Sequence, residues 1–352
     1  MTDATITISG RVIGPDHQTY VIAEVSANHN QSYARAEELV RLAADVGADA
    51  VKLQTYTPDT MTLDSDDEVF RVGEGTLWAG RTLYDLYEEA YTPWEWFPDL
   101  RAVATGVGIE LFSSPFDRSA VDFLVKHRTP AFKIASFELV DLALIRYAAS
   151  KGRPMILSTG MATADEIDGA VSAARSAGAG EIALLRCNSA YPSSPAEMDL
   201  RTIVDMRDRW QVPVGLSDHT LGTAAAVASV ALGAVILEKH FTLSRDEPGP
   251  DAAFSLEPHE FRAMVDAVRE AEQALGSVRY GPSTHEKASL AFRRSLFVVR
   301  DIRTGEPFTT ENVRAIRPAD GLPPRELDDV LGRTARRDIA AGTPLSRELV
   351  DG

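Results

Sequence analysis

Two histidines, His219 and His240, each end a short apolar run of the sequence, GLSDH and ILEKH. Two imidazoles brought together could bind one divalent metal ion and leave its other positions to water or a substrate. Two neutral histidines that only form hydrogen bonds in a polar pocket would explain the same pattern. With no cysteine thiolate beside them, such ligands suit an octahedral Mn or Mg ion as well as Zn. The two histidines therefore do not identify the metal.

Lysine is scarce in this chain, and half of the lysines stand in or at the end of an apolar run. The chain has six lysines and 30 arginines, and Lys52, Lys133 and Lys239 lie in such runs. A lysine inside a strand loses hydration and needs an anionic partner. A structural ion pair would meet that need for any one of them, whereas the three together predict a site that holds an anion.

Five serines follow apolar runs in the same way: Ser114, Ser136, Ser158, Ser189 and Ser217. A single serine in such a place is usually a helix cap or a turn residue. A ring of hydroxyls and backbone N–H groups beside lysines would bind phosphate and carboxylate oxygens. The sequence has neither a GxSxG nucleophile elbow nor a GxxxxGK phosphate loop, which argues against a serine hydrolase and a P-loop enzyme.

Acidic and polar side chains complete this group of candidate site residues. Glu24 and Glu238 suit acid–base chemistry or hydroxyl binding, although they could equally pair with the lysines. Gln54 also ends an apolar run. Asp251, in PGPDAAFS, and Tyr191, in CNSAYP, are candidates for contact with a substrate, with a turn role and rim packing as their simpler alternatives.

Eight short apolar runs carry most of these side chains at their carboxyl ends, and most runs are followed by an amphipathic stretch of helical length. The runs are 21–26, 50–55, 110–115, 132–136, 154–160, 182–187, 213–219 and 235–242. Strand–helix units of this kind form a parallel sheet, and eight of them close a (β/α)8 TIM barrel, an α/β fold. Chemistry in such barrels lies at the carboxyl ends of the strands, so the sequence predicts an enzyme with its site there.

The remaining segments predict parts outside the barrel units. Residues 1–20 alternate like a short β-hairpin and precede the barrel domain, 21–276. An insertion at 56–92 leaves the catalytic end of the barrel and is expected to shape substrate selection, or else to form a flap or a subunit contact. A linker, 277–292, leads to a small β-rich C-terminal module, 293–352.

Composition limits the partners and the compartment. The formal net charge of −16 argues against nucleic acid and anionic membranes as partners. We find no run of about 18 apolar residues, and the first residues lack the basic and apolar regions of a signal peptide. The single cysteine, Cys187, is expected to be a buried apolar thiol and excludes an intramolecular disulfide. We therefore expect a cytoplasmic protein.

Ordered motifs over the whole barrel resemble the sialic acid synthase family. They are VIAEVSANHN, AVKLQTY, SSPFD, FKIAS, ILSTGMAT, CNSAYP, GLSDHT and EKHFTLSRDEPGPDAAFSLEP. The last 60 residues are similar to the SAF, or antifreeze-protein-like, domain that completes those enzymes. Within the family, the phrase GTLWAGRTLYDLYEEAYTPWEW in the insertion resembles the pseudaminate branch.

This resemblance implies a transferase that condenses phosphoenolpyruvate with water and the open-chain aldehyde form of a 2-acetamido sugar. The products are a nonulosonate and phosphate, released by carbon–oxygen cleavage. For the pseudaminate branch the sugar is 2,4-diacetamido-2,4,6-trideoxy-L-altrose. The alternatives within the family are an N-acetylneuraminate or legionaminate synthase, using N-acetylmannosamine or a 2,4-diacetamido-mannose relative. Two other classes of protein remain as rivals. One is a metal hydrolase, which would need a fuller ligand set, and the other is a non-catalytic sugar-binding protein.

The resemblance also implies roles for individual residues. His219 and His240 match metal ligands, with Mn(II) favoured and Mg or Co as alternatives, and the catalytic set is Glu24, Glu238 and Lys133. The positions that match phosphoenolpyruvate-binding residues are Lys52, Ser114, Lys133, Ser136, Ser158, Ser189 and Ser217. Sugar contacts are assigned to Gln54, Tyr191, Asp251 and Arg317 of the partner subunit, which implies a homodimer domain-swapped through the SAF domain. Ala252 stands where the family commonly has histidine, which puts sugar contacts at that turn in doubt.

Overall fold

The computed structural model of the chain describes residues 4–351. Within that part of the chain, one compact unit ends at Gly276 and a second begins at Ser277. Each unit has a hydrophobic core of its own. Residues 1–3 of the predicted hairpin segment and residue 352 of the predicted C-terminal module lie outside the described residues.

A β-hairpin opens the first unit. Its antiparallel strands are β1 (Ile6–Ile8) and β2 (Arg11–Ile13). Ser9 and Gly10 join them with φ angles of 49° and 83°, the left-handed conformation that a tight two-residue hairpin turn requires. The Gly-Pro-Asp sequence at 14–16 therefore does not join the two strands. It forms a turn after β2, in which the His17 backbone N–H donates to the Gly14 carbonyl at 3.0 Å.

Eight parallel strands close a barrel in the first unit, in the order in which they follow one another along the chain. They are β3 (Tyr20–Glu24), β4 (Ala50–Thr55), β5 (Glu110–Pro115), β6 (Phe132–Ile134), β7 (Met155–Ser158), β8 (Ile182–Cys187), β9 (Val214–Asp218) and β10 (Ile236–His240). Strand β10 pairs with both β9 and β3, which closes the ring. The predicted (β/α)8 fold is confirmed, and the carboxyl ends of all eight strands meet at one end.

Helices cover the outside of this ring. They are α1 (Tyr33–Asp45), α2 (Pro58–Met61), α3 (Leu83–Ala90), α4 (Phe97–Gly106), α5 (Arg118–Lys126), α6 (Leu142–Ala149), α7 (Ala164–Ser176), α8 (Thr202–Trp210), α9 (Ala224–Ala231) and α10 (Pro258–Leu275), of which α2 and α3 belong to the insertion. Ser32 caps the start of α1, because its hydroxyl accepts from the Arg35 backbone N–H. Within the part of the chain that the structure describes, none of the helices combines the length and the apolar character that a membrane crossing needs.

The hairpin packs onto the amino-terminal end of the barrel. Ile6, Ile8 and Ile13 are fully buried in one apolar cluster with inward-facing barrel residues, among them Tyr20 and Phe112. This cluster fills the lower barrel with apolar side chains, so polar residues inside the ring are confined to the carboxyl end.

The insertion at 56–92 is tied to the loop that follows β3. It contains α2, a 3₁₀-helix at Glu68–Phe70, and α3. Gln31, in the β3 loop, donates through its side-chain amide to the carbonyl oxygens of Glu89 at 3.0 Å and Tyr91 at 2.6 Å. These bonds fix the end of the insertion beside the carboxyl end of the barrel.

Side chains alternate between the inside and the outside of the barrel along each strand. On β10, Lys239 therefore points to the opposite side from Glu238 and His240. The Lys239 ammonium lies 2.6 Å from an Asp218 carboxylate oxygen on β9 and also donates to the carbonyl oxygens of Thr220 and Gly222. The side chains of Lys239 and Asp218 are both 0% exposed. The prediction that Lys239 helps to hold an anion is therefore wrong, because a carboxylate on the adjacent strand already pairs with its charge.

The second unit is built from short elements joined by turns. They are a 3₁₀-helix at His285–Phe292, inside the predicted linker, β11 (Ser295–Val298), β12 (Val313–Ile316), α11 (Leu327–Val330), β13 (Thr334–Ala335) and β14 (Val350–Asp351). The pairs are β11 with β12 and β13 with β14, both antiparallel. This β-type module therefore contains only short pairs of strands among its described residues. A core of buried apolar side chains holds these elements together.

Two similar phrases in the second unit, RDIRTGEPFT and RDIAAGTPLS, occupy equivalent places. Ile302 and Ile339 exchange two backbone hydrogen bonds of 2.9 and 2.8 Å. The carboxylate of Asp301 accepts from the backbone N–H of Ala341, and Asp338 makes the equivalent bond to Thr304, both at 2.7 Å. The repeated phrases thus cap each other's turns, which gives the module an approximate internal two-fold symmetry.

The Lys239–Asp218 pair predicts a large stability effect on substitution. We expect Lys239→Met to lower the free energy of unfolding by about 3–5 kcal/mol, because it leaves the Asp218 carboxylate buried without a cation. Urea unfolding measures this loss. Lys151→Met is the matched control: Lys151 pairs with Asp122 at 2.8 Å on the surface, and loss of such a pair costs about 1 kcal/mol or less. Equal losses in the two variants would contradict the prediction.

Candidate active site

Four charged side chains form a continuous network inside the carboxyl end of the barrel. Lys52 Nζ, on β4, lies 2.8 Å from Glu24 Oε2 on β3 and 3.5 Å from Glu238 Oε1 on β10. Lys133 Nζ, on β6, lies 3.0 Å from the same Glu238 oxygen. All four side chains are at most 4% exposed. Two carboxylates and two ammonium groups thus balance each other in a place that excludes water, where charge interactions are strong.

Two of the predicted serines extend this network. Ser114 Oγ, on β5, accepts from Lys52 Nζ at 3.3 Å, and Ser217 Oγ, on β9, donates to Glu238 Oε1 at 3.1 Å. Both serines are at most 2% exposed. Lys52 is therefore held by groups from both neighbouring strands, and Lys133 by a carboxylate from across the barrel, in a geometry fixed before any ligand binds.

The two carboxyls of the network have different proton affinities. Burial raises the pKa of Glu24, against the opposing charge of Lys52. Burial also acts to raise the pKa of Glu238, but Lys133 and Lys52 outweigh it and lower that pKa to about 2. Gln54 orients Glu24, since its amide donates to Glu24 Oε1 at 3.0 Å. Two carboxyls whose pKa values differ in this way can take different roles. Glu24 can exchange a proton while Glu238 stays ionised.

A second group of polar atoms lies at the ends of β6, β7 and β8. The Gly160 backbone N–H donates to Ser136 Oγ at 3.1 Å. A Cβ atom on Gly160 would lie 2.7 Å from Ser136 Oγ and 2.2 Å from Ser189 Oγ, so only glycine lets these hydroxyls approach. Ser158 Oγ is buried and has no hydrogen-bond partner among residues 4–351. Hydroxyls and a backbone N–H gathered in this way suit the oxygens of an anion.

The two histidines lie side by side, with ring centroids 5.3 Å apart. His219 Nδ1 is 2.7 Å from the carbonyl oxygen of Asn188. A carbonyl only accepts hydrogen bonds, so Nδ1 carries a hydrogen, and Nε2 keeps its lone pair in the neutral ring. Cys187 raises the pKa of His219 against the effect of burial, so a metal ion would have to displace a proton from Nε2. Burial and the positive charges nearby lower the pKa of His240 well below its ordinary value, which keeps that ring neutral, and its Nδ1 is buried with no partner in the described chain.

These histidines fit a divalent metal ion as two of its ligands. Neutral imidazoles with an available nitrogen are common metal ligands, and the bond from His219 to a backbone carbonyl is the usual way to orient one. No group of three or more His, Cys, Asp or Glu side chains is placed to hold a metal within residues 4–351. Water and substrate would then supply the remaining ligands, which is the arrangement of a catalytic rather than a structural site.

Cys187 connects the serine group to the histidines. Its sulfur lies 3.9 Å from Ser189 Oγ and 3.9 Å from His219 Nδ1, and the residue is 1% exposed. The ring of Tyr191 lies 4.3 Å from the ring of His219, centroid to centroid. The lysines, serines and histidines thus belong to one continuous polar site.

The other predicted contact residues lie in different places. Asp251 belongs to the loop after β10, where its carboxylate accepts from the Ala27 backbone N–H at 3.4 Å and burial raises its pKa. The substituted position Ala252 begins a 3₁₀-helix, Ala252–Phe254. Arg317 lies in the second unit, directly after β12, and is exposed.

Three side chains near the site were missed by the sequence reasoning. Glu138, in a 3₁₀-helix after β6, has a buried Oε2 without a partner among the described residues, and burial raises its pKa to about 7. A carboxylate so soon after a strand-end serine, in FKIASFEL, was a signal for it. Phe254 packs on His240 with centroids 4.9 Å apart, and Trp78 comes from the insertion. No periodic pattern marks either aromatic.

Known proteins resemble the chain along nearly its whole length. A NeuB family model matches residues 39–280, and a SAF domain model matches residues 293–350. Pseudaminic acid synthase of Campylobacter jejuni serotype O:23/36 is 43% identical over 330 residues, which is 94% of this chain and 96% of that protein. N,N'-diacetyllegionaminic acid synthase of Legionella pneumophila is 34% identical over 343 residues, 96% of each protein.

A solved structure agrees with these matches. The crystal structure of N-acetylneuraminic acid (sialic acid) synthetase from Leptospira borgpetersenii aligns with a TM-score of 0.73 and 28% identity, covering 82% of this chain and 96% of that one. The resemblance to sialic acid synthases is thereby confirmed, and the chain belongs to the NeuB family and ends in a SAF domain.

Proposed function

We propose that this protein is a pseudaminic acid synthase. It condenses phosphoenolpyruvate with water and open-chain 2,4-diacetamido-2,4,6-trideoxy-L-altrose and releases pseudaminic acid and phosphate. The proposal rests on one observation, the buried network of Lys52, Lys133, Glu24 and Glu238 beside a histidine pair. The choice of sugar rests on the 43% identity to a protein named pseudaminic acid synthase, against 34% to one named for diacetyllegionaminic acid.

The lysines and serines bind phosphoenolpyruvate through its phosphate and carboxylate. Among the groups in the site, the buried ammonium groups and the closely spaced hydroxyls are the best suited to bind these two anions. The binding set is Lys52, Ser114, Lys133, Ser136, Ser158, Ser189 and Ser217. An incoming anion competes with the carboxylates for the lysines, so binding partly replaces one ion pair by another. This exchange avoids leaving a buried ammonium without a partner.

Glu24 handles the proton in the reaction. Carbon 3 of phosphoenolpyruvate adds to the sugar aldehyde, and water adds to carbon 2 before phosphate leaves by carbon–oxygen cleavage. Glu24 removes a proton from that water, because burial favours its protonated form and so makes it a better base than an ordinary carboxylate. Glu238 stays ionised and orients Lys133.

His219 and His240 hold a divalent ion, Mn(II) by preference and Mg or Co as alternatives. When bound, the ion supplies Lewis-acid polarisation of the sugar aldehyde. The support for this assignment is the hydrogen bond that orients His219 through its Nδ1, and the buried His240 Nδ1, which has no partner among residues 4–351.

The sugar is bound by Gln54, Tyr191, Asp251 and Arg317 of the partner subunit, in a homodimer domain-swapped through the SAF domain. Loops at the carboxyl end of the barrel support a covering subunit, because they carry the exposed apolar side chains Phe137, Val140, Met161 and Leu221. We further propose a cytoplasmic location. The net charge of −16 supports the proposal that the protein has no nucleic-acid or membrane partner.

Phosphate release tests the proposed reaction. Purified protein, phosphoenolpyruvate and Mn are incubated with the diacetamido-trideoxy altrose, N-acetylmannosamine and the diacetamido-mannose relative. We expect release with the altrose sugar, in step with formation of the nonulosonate, and loss of both with His219→Ala or with a chelator. Turnover only with N-acetylmannosamine or with the mannose relative would move the assignment to a neuraminate or legionaminate synthase. Ester hydrolysis without consumption of phosphoenolpyruvate would refute a synthase altogether.

The role of Glu24 gives a pH prediction. A base must be ionised to act, and burial raises the pKa of Glu24 above the ordinary 4.5. The acid limb of kcat/KM should therefore lie above pH 4.5, with activity falling as the pH falls through that limb. Glu24→Gln should lower kcat by about 10²–10⁴-fold, with a smaller change in KM for phosphoenolpyruvate.

A carboxylate at the opposite end of the barrel provides the control for that measurement. Glu181 accepts from the Thr7 backbone N–H at 3.1 Å, and the amide of Glu181→Gln preserves an acceptor there. This variant should keep both the rate and the acid limb of the parent. A Glu24→Gln enzyme with the parent's acid limb would exclude Glu24 as the base.

The domain swap gives a complementation prediction. In a swapped dimer of one His219→Ala and one Arg317→Ala chain, one of the two sites combines an intact barrel with an intact SAF domain. Co-expression of the two inactive variants, with random pairing, should therefore restore about a quarter of the parent activity. If Arg317 acts within its own chain, both sites of every mixed dimer are damaged and no activity returns. Two Arg317→Ala chains co-expressed with each other are the control.

A further inference from the structure

Three aromatic side chains run from the insertion to the histidine pair. Trp78 lies 5.8 Å from Tyr191 and 6.3 Å from Phe254, measured between ring centroids. Tyr191 in turn packs on His219 at 4.3 Å, and Phe254 packs on His240 at 4.9 Å. We call Trp78, Tyr191 and Phe254 the aromatic wall. It is the part of the site where the insertion meets the barrel.

Trp78 is fixed in this wall by its polar edge. Its indole N–H donates to the Pro250 carbonyl oxygen at 2.9 Å, in the loop that follows β10. Amphipathic aromatics commonly bury their ring and satisfy their N–H in this manner. The indole is nevertheless only half-buried, whereas Phe254 is 1% exposed. Part of the Trp78 ring surface therefore remains accessible to a bound molecule.

The geometry divides the site into a charged part and an apolar part. The lysines lie inside the ring of strands, and the wall leads away from the histidines towards the insertion. With the reacting aldehyde at His219 and His240, the rest of an open six-carbon sugar extends along the wall. The centroid distances from His219 to Tyr191, 4.3 Å, and from Tyr191 to Trp78, 5.8 Å, are of the same order as the length of such a sugar.

We propose that Trp78 is a specificity-determining residue, whose indole binds the apolar end of the sugar. This inference rests on the proposed function, because the sugar named there is apolar at that end. It carries a methyl group in place of the hydroxymethyl at carbon 6 and an acetamido group at carbon 4. An aromatic face matches methyl and amide groups, and it offers nothing to a terminal hydroxyl.

Direct binding tests this role apart from turnover. The probe is the alditol obtained by reducing the sugar, which keeps the distal groups and cannot react because it has no aldehyde. Titration calorimetry with the Mn-loaded protein should show an affinity for the alditol about tenfold weaker in Trp78→Ala than in the parent. Trp78→Phe keeps an aromatic face, although it loses the N–H and part of the ring surface, so it should recover most of that affinity. The exposed neighbour Leu77, 52% accessible, gives the control Leu77→Ala, which should bind as the parent does.

Steady-state kinetics separates a role in sugar binding from a general structural role. Trp78→Ala should raise KM for the sugar about tenfold and leave KM for phosphoenolpyruvate and the affinity for Mn within about twofold of the parent. Its preference for the 6-deoxy sugar over N-acetylmannosamine should fall by a similar factor. Unchanged alditol binding in Trp78→Ala, or an equal loss of affinity for phosphoenolpyruvate, would overturn the inference.

The same measurements keep this inference distinct from the proposed function. If the parent releases no phosphate with the altrose sugar but loses alditol affinity on substitution of Trp78, the proposed reaction fails and the role of the wall stands. If the parent turns the sugar over and Trp78→Ala does so with the same KM, the reaction stands and the role of Trp78 fails.

Discussion

The rest of the site depends on the burial of two lysines with two carboxylates inside the closed barrel. Moving these charges out of water is costly, and only mutual pairing at 2.8–3.5 Å makes it tolerable. The pairing also decides proton affinity, since Glu238 touches both lysines and Glu24 only one. An anion that attracts Lys52 away from Glu24 would raise the pKa of that carboxyl further. In the proposed reaction, substrate binding and activation of the base would therefore be coupled through one ammonium group.

The position of each charge follows from the two-residue period of the strands. On β10, Glu238 and His240 reach the site, and Lys239 between them pairs with Asp218 on the other face. The sequence already contained this information, because residues 238 and 240 cannot share a face with residue 239 in an extended strand. The eight strands and the helices between them could also be predicted from the sequence. The error at Lys239 came from treating lysine content alone as the signal.

Other parts of the site could not be read from the sequence, for a physical reason. Trp78 sits in an irregular insertion, and Phe254 sits in a 3₁₀-turn after β10. Such segments have no period that assigns a side chain to a face, and their positions depend on contacts distant in sequence. The Trp78 bond to the Pro250 carbonyl spans 172 residues. By contrast, the convergence of Ser136 and Ser189 at Gly160 rests on strand ends that the barrel topology brings together.

In the proposed function, chemistry and sugar selection belong to different kinds of structure. The charged groups and the histidines stand at strand ends, where the hydrogen-bonded ring allows little movement, while the aromatic wall depends on loops held by a few backbone carbonyl bonds. Loops tolerate changes of length and sequence that a closed ring of strands does not. The relatives matched here carry names for pseudaminic, legionaminic and neuraminic acids. A fixed set of strand-end groups combined with a replaceable wall would let one fold serve different sugars in the proposed reaction.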